Sequence, residues 1–276
     1  MFDFSKTLKE NAQGRVLLCA HRGVSSANIP CNTLTAFKAA LMQGADIIEL
    51  DVSKSRDGRY FVFHPGMESA HLRKRTSLAL MKAEKIEKLR FVNQDDCKTF
   101  LGINTLEEIL DFLKGKCYIN VDKFWTDIPG ITECIRRCGV ENQVIVKTPV
   151  KDRYIEQIKK YAPDFKFIPM IKNEDTVSKK LLASGINYVG AEVLFADESA
   201  PVASPGYIEK MHNLGLMLYV NAIVYNSRDV LSAGHSDDNA IIKSPDYGWG
   251  WLIDRGFDII QTDWCGMLKN YIENRK

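Results

Sequence analysis

The sequence predicts an α/β fold, a (β/α)8 TIM barrel with a small insertion after the second strand. Three observations predict it. Short β-rich runs alternate with helical patterns along almost the whole chain. Eight such runs occur, more than most open doubly wound sheets carry. The length, 276 residues, is a little above the roughly 250 that such a barrel needs. One domain over residues 1–276 is expected.

The first strand is residues 15–20 (RVLLCA). The helical pattern at 33–44 puts Leu34, Phe37, Ala40 and Leu41 on one face. Asn32 or Thr33 can cap its N-terminus, and Gly44 suits its end. The second strand is 45–52 (ADIIELDV). Later strands are 117–122, 143–147, 165–171, 187–193, 216–223 and 257–263. Several are near-continuous apolar runs, as parallel strands buried on both faces are. Helical patterns lie at 105–114, 127–138, 151–161, 174–184, 204–214 and 247–255.

Two segments break the rhythm. Residues 51–63 read as a hairpin with the turn Ser55-Arg56-Asp57-Gly58, because Asp-Gly between apolar strands favours one. A turn centred on Arg56-Asp57 sets residue 49 opposite residue 64. The insertion then runs over about 65–102, charged and partly helical. A second interruption, 225–245, is polar and loop-like. Connections of this length are usually functional.

Composition excludes several classes. The hydrophobic fraction of 45% and charged fraction of 26% are ordinary for a globular protein. Lys plus Arg (37) nearly balances Asp plus Glu (35), a net +2, so nucleic acid is not an expected partner. No apolar run approaches the roughly 20 residues of a transmembrane helix. The N-terminus has no apolar signal core, and a cytoplasmic setting is expected. The seven cysteines are scattered, without Cys-x-x-Cys, and read as free thiols. Cys134 and Cys138, four apart, read as packing residues.

Polar residues gather at the C-terminal ends of the predicted strands, the face on which barrels of this type do chemistry. Glu49 and Asp51, at i and i+2, point the same way. Their repulsion is relieved either by structural salt bridges or by a hard divalent cation, Mg²⁺ or Ca²⁺, with Asp122 as a third oxygen ligand. His64 on the hairpin and His21 after the first strand converge on that pair. One can take a proton from the nucleophile and the other can give one to the leaving oxygen. Arg22 offers a planar fork for phosphate, and Lys147 a point charge. Glu192 ends strand six. Tyr219, Trp249, Trp251 and especially Trp264, after strand eight, are candidate aromatic walls.

These residues lie in AHRG (20–23), NTLTAFKAALMQGADIIELDVSKSRDG (32–58) and FVFH (61–64), with weaker similarity in YINVDK (118–123) and QTDWCGML (261–268). The sequence thereby resembles the glycerophosphodiester phosphodiesterase family, densely over the first quarter of the chain. The resemblance implies a (β/α)8 barrel with an insertion after the second strand. It implies His21 and His64 as acid–base pair, Arg22 as phosphate ligand, and Glu49, Asp51 and Asp122 as metal ligands. The implied reaction is metal-dependent hydrolysis of a small glycerophosphodiester to glycerol 3-phosphate and an alcohol. Four departures stand out. Cys31 replaces a glutamate, Pro65 an aspartate, Asp122 a glutamate and Phe124 a lysine, whose charge Lys123 or Lys147 can replace. They leave two alternatives open: a lysophospholipid or phosphoinositol-type substrate, or a barrel that binds phospho-ligands without turnover. His71, Arg73 and Arg75 in the insertion either touch a second charged group or form a surface stretch.

Overall fold

Parallel pairing of alternate strand segments builds the sheet in the computed structural model, which describes residues 2–226 and 228–275. The strands are β1 (Leu17–Ala20), β2 (Ile47–Lys54), β3 (Tyr60–Val62), β4 (Tyr118–Asp122), β5 (Val144–Val146), β6 (Lys166–Phe167), β7 (Met170–Lys172), β8 (Gly190–Leu194), β9 (Met217–Asn221) and β10 (Ile259–Thr262). Their order is β6-β5-β4-β2-β1-β10-β9-β8-β7, and β3 is paired antiparallel to β2.

β6 and β7 are one run broken at Ile168-Pro169. Proline has no N–H for the ladder, so the continuous strand expected over 165–171 is interrupted there. β6 pairs β5 and β7 pairs β8, with parallel bridges Phe167↔Tyr188 and Pro149↔Met170. The broken run is thus paired on both sides, and eight parallel positions close as a TIM barrel.

Alternation along each strand sorts the side chains. Leu18, Ala20, Ile48, Leu50, Ile119 and Val121 pack outward into the core shared with the helices. Leu17, Cys19, Ile47, Tyr118, Ile145, Met217, Tyr219 and Ile259 form a separate inner cluster. A short helix, Leu8–Ala12, adds Leu8 and Ala12 to this inner plug. It is held by a capping box between Thr7 and Glu10 and has no counterpart among the helical patterns expected from the sequence. Continuing the inner register two or four residues along β1, β2 and β4 reaches His21, Glu49, Asp51 and Asp122. The period of two that fills the barrel therefore also aims the polar set at its mouth.

The hairpin departs from expectation by one residue. Ser55 N–H donates to Arg59 O at 2.8 Å, closing a three-residue loop with Gly58 at φ 92°. Such loops end in a left-handed residue, and the register becomes Val52↔Val62. Carried two residues further, it sets His64 opposite Leu50, not Glu49. The insertion folds as Glu68–Leu72 and Ala83–Glu87 over an apolar cluster, separate from the barrel core, in which its Phe91 packs with Phe61, Phe63 and Ile103 from the flanking segments. The pattern at 174–184 is helical only over Ser178–Leu182. The interruption at 225–245 contains a helix, Asp237–Ile242, capped by Ser236; Ser227 lies outside the described residues. No described helix is long and apolar enough to cross a membrane.

Candidate active site

β2 and β4 run in register with Asp51 beside Asp122 and Glu49 beside Asn120. Glu49, Asp51 and Asp122 each offer a carboxylate oxygen within 4.8 Å of the others. Among the described residues no other His, Cys, Asp or Glu group is so arranged; Cys134 and Cys138 form no such group. Asp51 is fully buried. Its Oδ2 accepts from Asn32 Nδ2 at 2.9 Å and is ion-paired with Arg22 Nε, also 2.9 Å away. Its Oδ1 is buried without a hydrogen bond. An orphaned carboxylate oxygen among three hard donors fits Mg²⁺ or Ca²⁺.

Salt bridges, the other expectation for these acids, are also present. Arg22 bridges Asp51, and Lys123 Nζ lies 2.7 Å from Asp122 and 3.5 Å from Asp51. Burial, followed by the Asp51 charge, holds Glu49 above the ordinary carboxylate range. Asp122 is partly buried, but Lys147 and Lys123 hold it down at about 2.

Arg22 turns out of β1 in the left-handed conformation, φ 54°. This turn lets its N–H donate to Glu49 Oε2 at 2.9 Å while its guanidinium reaches Asp51. Lys147 and Glu192, predicted separately, meet in a buried pair, Nζ to Oε2 3.0 Å. Asn221 Nδ2 holds the other Glu192 oxygen at 2.7 Å.

The histidines sit in unlike surroundings. His21 Nδ1–H donates to Asp263 Oδ1 at 2.8 Å. Burial pulls its pKa down, but that bond and the Glu49 charge outweigh it, and the net direction is up. His64 Nε2 is 3.9 Å from Asp51 Oδ1 and 2.8 Å from the Tyr225 hydroxyl. Burial lowers its pKa; Arg22 and Lys123 add to this, against Asp51.

Two cavities open here. One, about 490 Å³, includes Glu49, Asp122, Lys123, Lys147, Glu192 and Trp125; the other, about 630 Å³, includes Asp263, Trp264, Met267 and Cys31. His21 and Arg22 line both.

Three other aromatics do not form these walls. Tyr219 is buried below Lys147, whose Nζ is 5.2 Å from its ring. Trp249 donates to buried Asp237, and Trp251 stacks on His235. His71, Arg73 and Arg75 line neither cavity; Arg73 pairs with Asp96 and His71 faces Phe63 and Cys31.

Sequence reading missed Asp263, Tyr225 and Asn32. Asp263 is the last residue of the strand expected over 257–263 and directly follows β10 (Ile259–Thr262), a position that could have flagged it. Its backbone N–H and Thr262 Oγ1 donate to buried Asp237 at 2.8 and 2.7 Å. Tyr225 lies in a patternless loop, between His64 and Arg22.

The family model DUF4996, described as a domain of unknown function, matches residues 167–272. A glycerophosphodiester phosphodiesterase of Caldanaerobacter subterraneus subsp. tengcongensis is 32% identical over 161 residues, 55% of this chain and 65% of that protein. The uncharacterized protein YqiK of Bacillus subtilis is 30% identical over 141 residues, 47% and 56% of the two chains. The chain spans from about half to just under two thirds of the length of the curated relatives it matches. A glycerophosphoryl diester phosphodiesterase from Parabacteroides distasonis superposes with a TM-score of 0.76 at 19% identity, covering 94% of this chain and 86% of that one. A phosphodiesterase of Oleispira antarctica, solved with the product sn-glycerol-3-phosphate, gives 0.66 at 16% identity over 95% and 99%. At such identities the structural likeness carries the fold, and the named relatives support assignment to the glycerophosphodiester phosphodiesterase family.

Proposed function

We propose that this chain, as a relative of the glycerophosphodiester phosphodiesterases, is a phosphoric diester hydrolase that cleaves a glycerophosphodiester to glycerol 3-phosphate and an alcohol. One observation carries the reading. Three carboxylates offering oxygens within 4.8 Å of one another share the barrel mouth with Arg22 and two histidines of opposite pKa tendency.

Glu49, Asp51 and Asp122 would hold Mg²⁺ or Ca²⁺, whose charge, when bound, offsets that developing on phosphoryl oxygens. Arg22 turns its Nε to Asp51 and its Nη2 to the Tyr225 hydroxyl, and would offer Nη1 to the phosphate. His64, biased toward the neutral form, is the proton acceptor for water or a neighbouring substrate hydroxyl. His21, biased toward the charged form, is the donor to the leaving oxygen; divergent pKa tendencies assign such roles. Asp263 fixes its tautomer, leaving Nε2 for the substrate. Lys147 and Glu192 form the charged floor, and Trp264 a wall. A diester has two arms, and two cavities meet at the His21–Arg22 seam.

The test is hydrolysis of bis-(p-nitrophenyl) phosphate and a panel of glycerophosphodiesters with Mg²⁺, Ca²⁺ or EDTA. Activity should need the ion. His21→Ala and His64→Ala should each lose at least about a hundredfold in kcat with the fold retained, the scale of acid–base catalysis. Smaller losses at both sites would overturn the mechanism. Silence with every ion would favour a phospho-ligand binder, and turnover only of acylated or inositol diesters would move the substrate.

A further inference from the structure

We infer that Lys123 is a tethered cation that fills the carboxylate cluster in the metal-free protein and must be displaced before a divalent ion can enter. The inference rests on the reading of Glu49, Asp51 and Asp122 as the ion's seat.

Lys123 is the first residue after β4 and takes the left-handed conformation, φ 58°. This turn lets one residue clasp Asp122 twice. Its N–H donates to Oδ1 at 2.8 Å, and its Nζ to Oδ2 at 2.7 Å. The same ammonium stands 3.5 Å from Asp51 Oδ1, the buried oxygen that has no hydrogen bond. The side chain is only 19% exposed. Little water screens the attraction, so displacing the ammonium has a real cost.

The side chains of the neighbouring cations each bridge at most one of the three carboxylates. Arg22 bridges Asp51 through Nε, and Lys147 pairs with Glu192. Phe124 is fully buried in the core and brings no charge. Among the described residues, the Lys123 ammonium is the one side-chain cation within 4.0 Å of two of the three carboxylates, and it lines the cavity of about 490 Å³. Its Nζ also lies 5.2 Å from the Trp125 ring, a second place for a cation to rest. Once displaced, the ammonium faces that cavity and adds a positive charge for the phosphate. Ion binding and phosphate binding are thus coupled through one side chain.

The experiment titrates the full-length chain, stripped with EDTA, with Ca²⁺ alone by calorimetry and Tb³⁺ alone by luminescence. Lys123→Met should bind both ions at least about tenfold more tightly than the parent, and its metal-free form should melt at lower temperature. Lys123→Arg, which keeps the charge, should bind no more tightly than the parent. Inorganic phosphate should bind the Ca²⁺-loaded parent more tightly than loaded Lys123→Met. Lys123→Gln supplies the same comparison where the methionine variant does not fold. Equal ion affinities in folded parent and variant would overturn the inference and leave the seat standing. Failure of every protein to bind either ion would remove the seat itself, and the inference with it.

Discussion

Replacing Asp263 by asparagine keeps the side chain's size and an acceptor oxygen but removes the charge facing His21 Nδ1, 2.8 Å away. The backbone anchor of residue 263, its N–H to Asp237, survives. His21 is pulled down by burial and pushed up by the Asp263 bond and the Glu49 charge, with a net rise. Without Asp263 burial meets less opposition, and the pKa of His21 falls. A proton donor works only while protonated, so its activity is lost as pH rises through that pKa. The alkaline limb of the kcat–pH profile should therefore move to lower pH. A hydrogen bond to a charged group contributes about 1.5–3 kcal/mol. The Asp263 side chain is 48% exposed, and screening selects the lower end. About 1.5 kcal/mol corresponds to roughly a tenfold loss in kcat at neutral pH. Continuous phosphodiester hydrolysis across pH, with circular dichroism to verify the fold, measures both effects. A folded variant with unchanged kcat and an unmoved alkaline limb would refute the donor role of His21.

Perturbations at three sites probe the scaffold. Lys147→Met strands the Glu192 carboxylate in a pair whose side chains are 4% and 5% exposed. Breaking a buried pair on one side costs about 3–5 kcal/mol; urea denaturation should show it, with part recovered in Lys147→Met/Glu192→Gln. Gly190→Ala places a Cβ 2.1 Å from Met217 O, forcing β8 from β9. It should lose at least the upper end of the roughly 1–3 kcal/mol of overpacking. Gly206, where an added methyl would meet nothing within 4 Å, should accept alanine without loss of melting temperature.

Much of this architecture is legible from local chemistry. The i, i+2 spacing of Glu49 and Asp51 fixes a shared face before any partner is known, and the His21-Arg22-Gly23 turn follows an unmistakable apolar strand. Gly23 is needed there: at φ 78° a Cβ would stand 2.8 Å from the Ala36 carbonyl carbon. The hairpin register differs by one residue because Asp-Gly serves both two- and three-residue loops, and local sequence separates them poorly. The places of Tyr225 and Lys123 are hidden for a different reason. They come from contacts with side chains far along the chain, His64 for one and Asp51 for the other, and no periodicity encodes such contacts. Asp237, buried beneath three donors, sits in a stretch whose polarity reads as surface loop.

The brace on His21 comes from the other end of the polypeptide. Asp263 is 242 residues away, just past the strand that zips against β1. A nascent chain can form the hairpin, the insertion and the Arg22 turn long before that strand emerges, yet His21 stays unbraced until it does. Under the proposed mechanism, turnover would report ring completion. A circularly permuted chain opened between β10 and β1 should rebuild catalysis only as fast as its two ends find each other, and a refolding assay that follows product would time the last stave sliding into place.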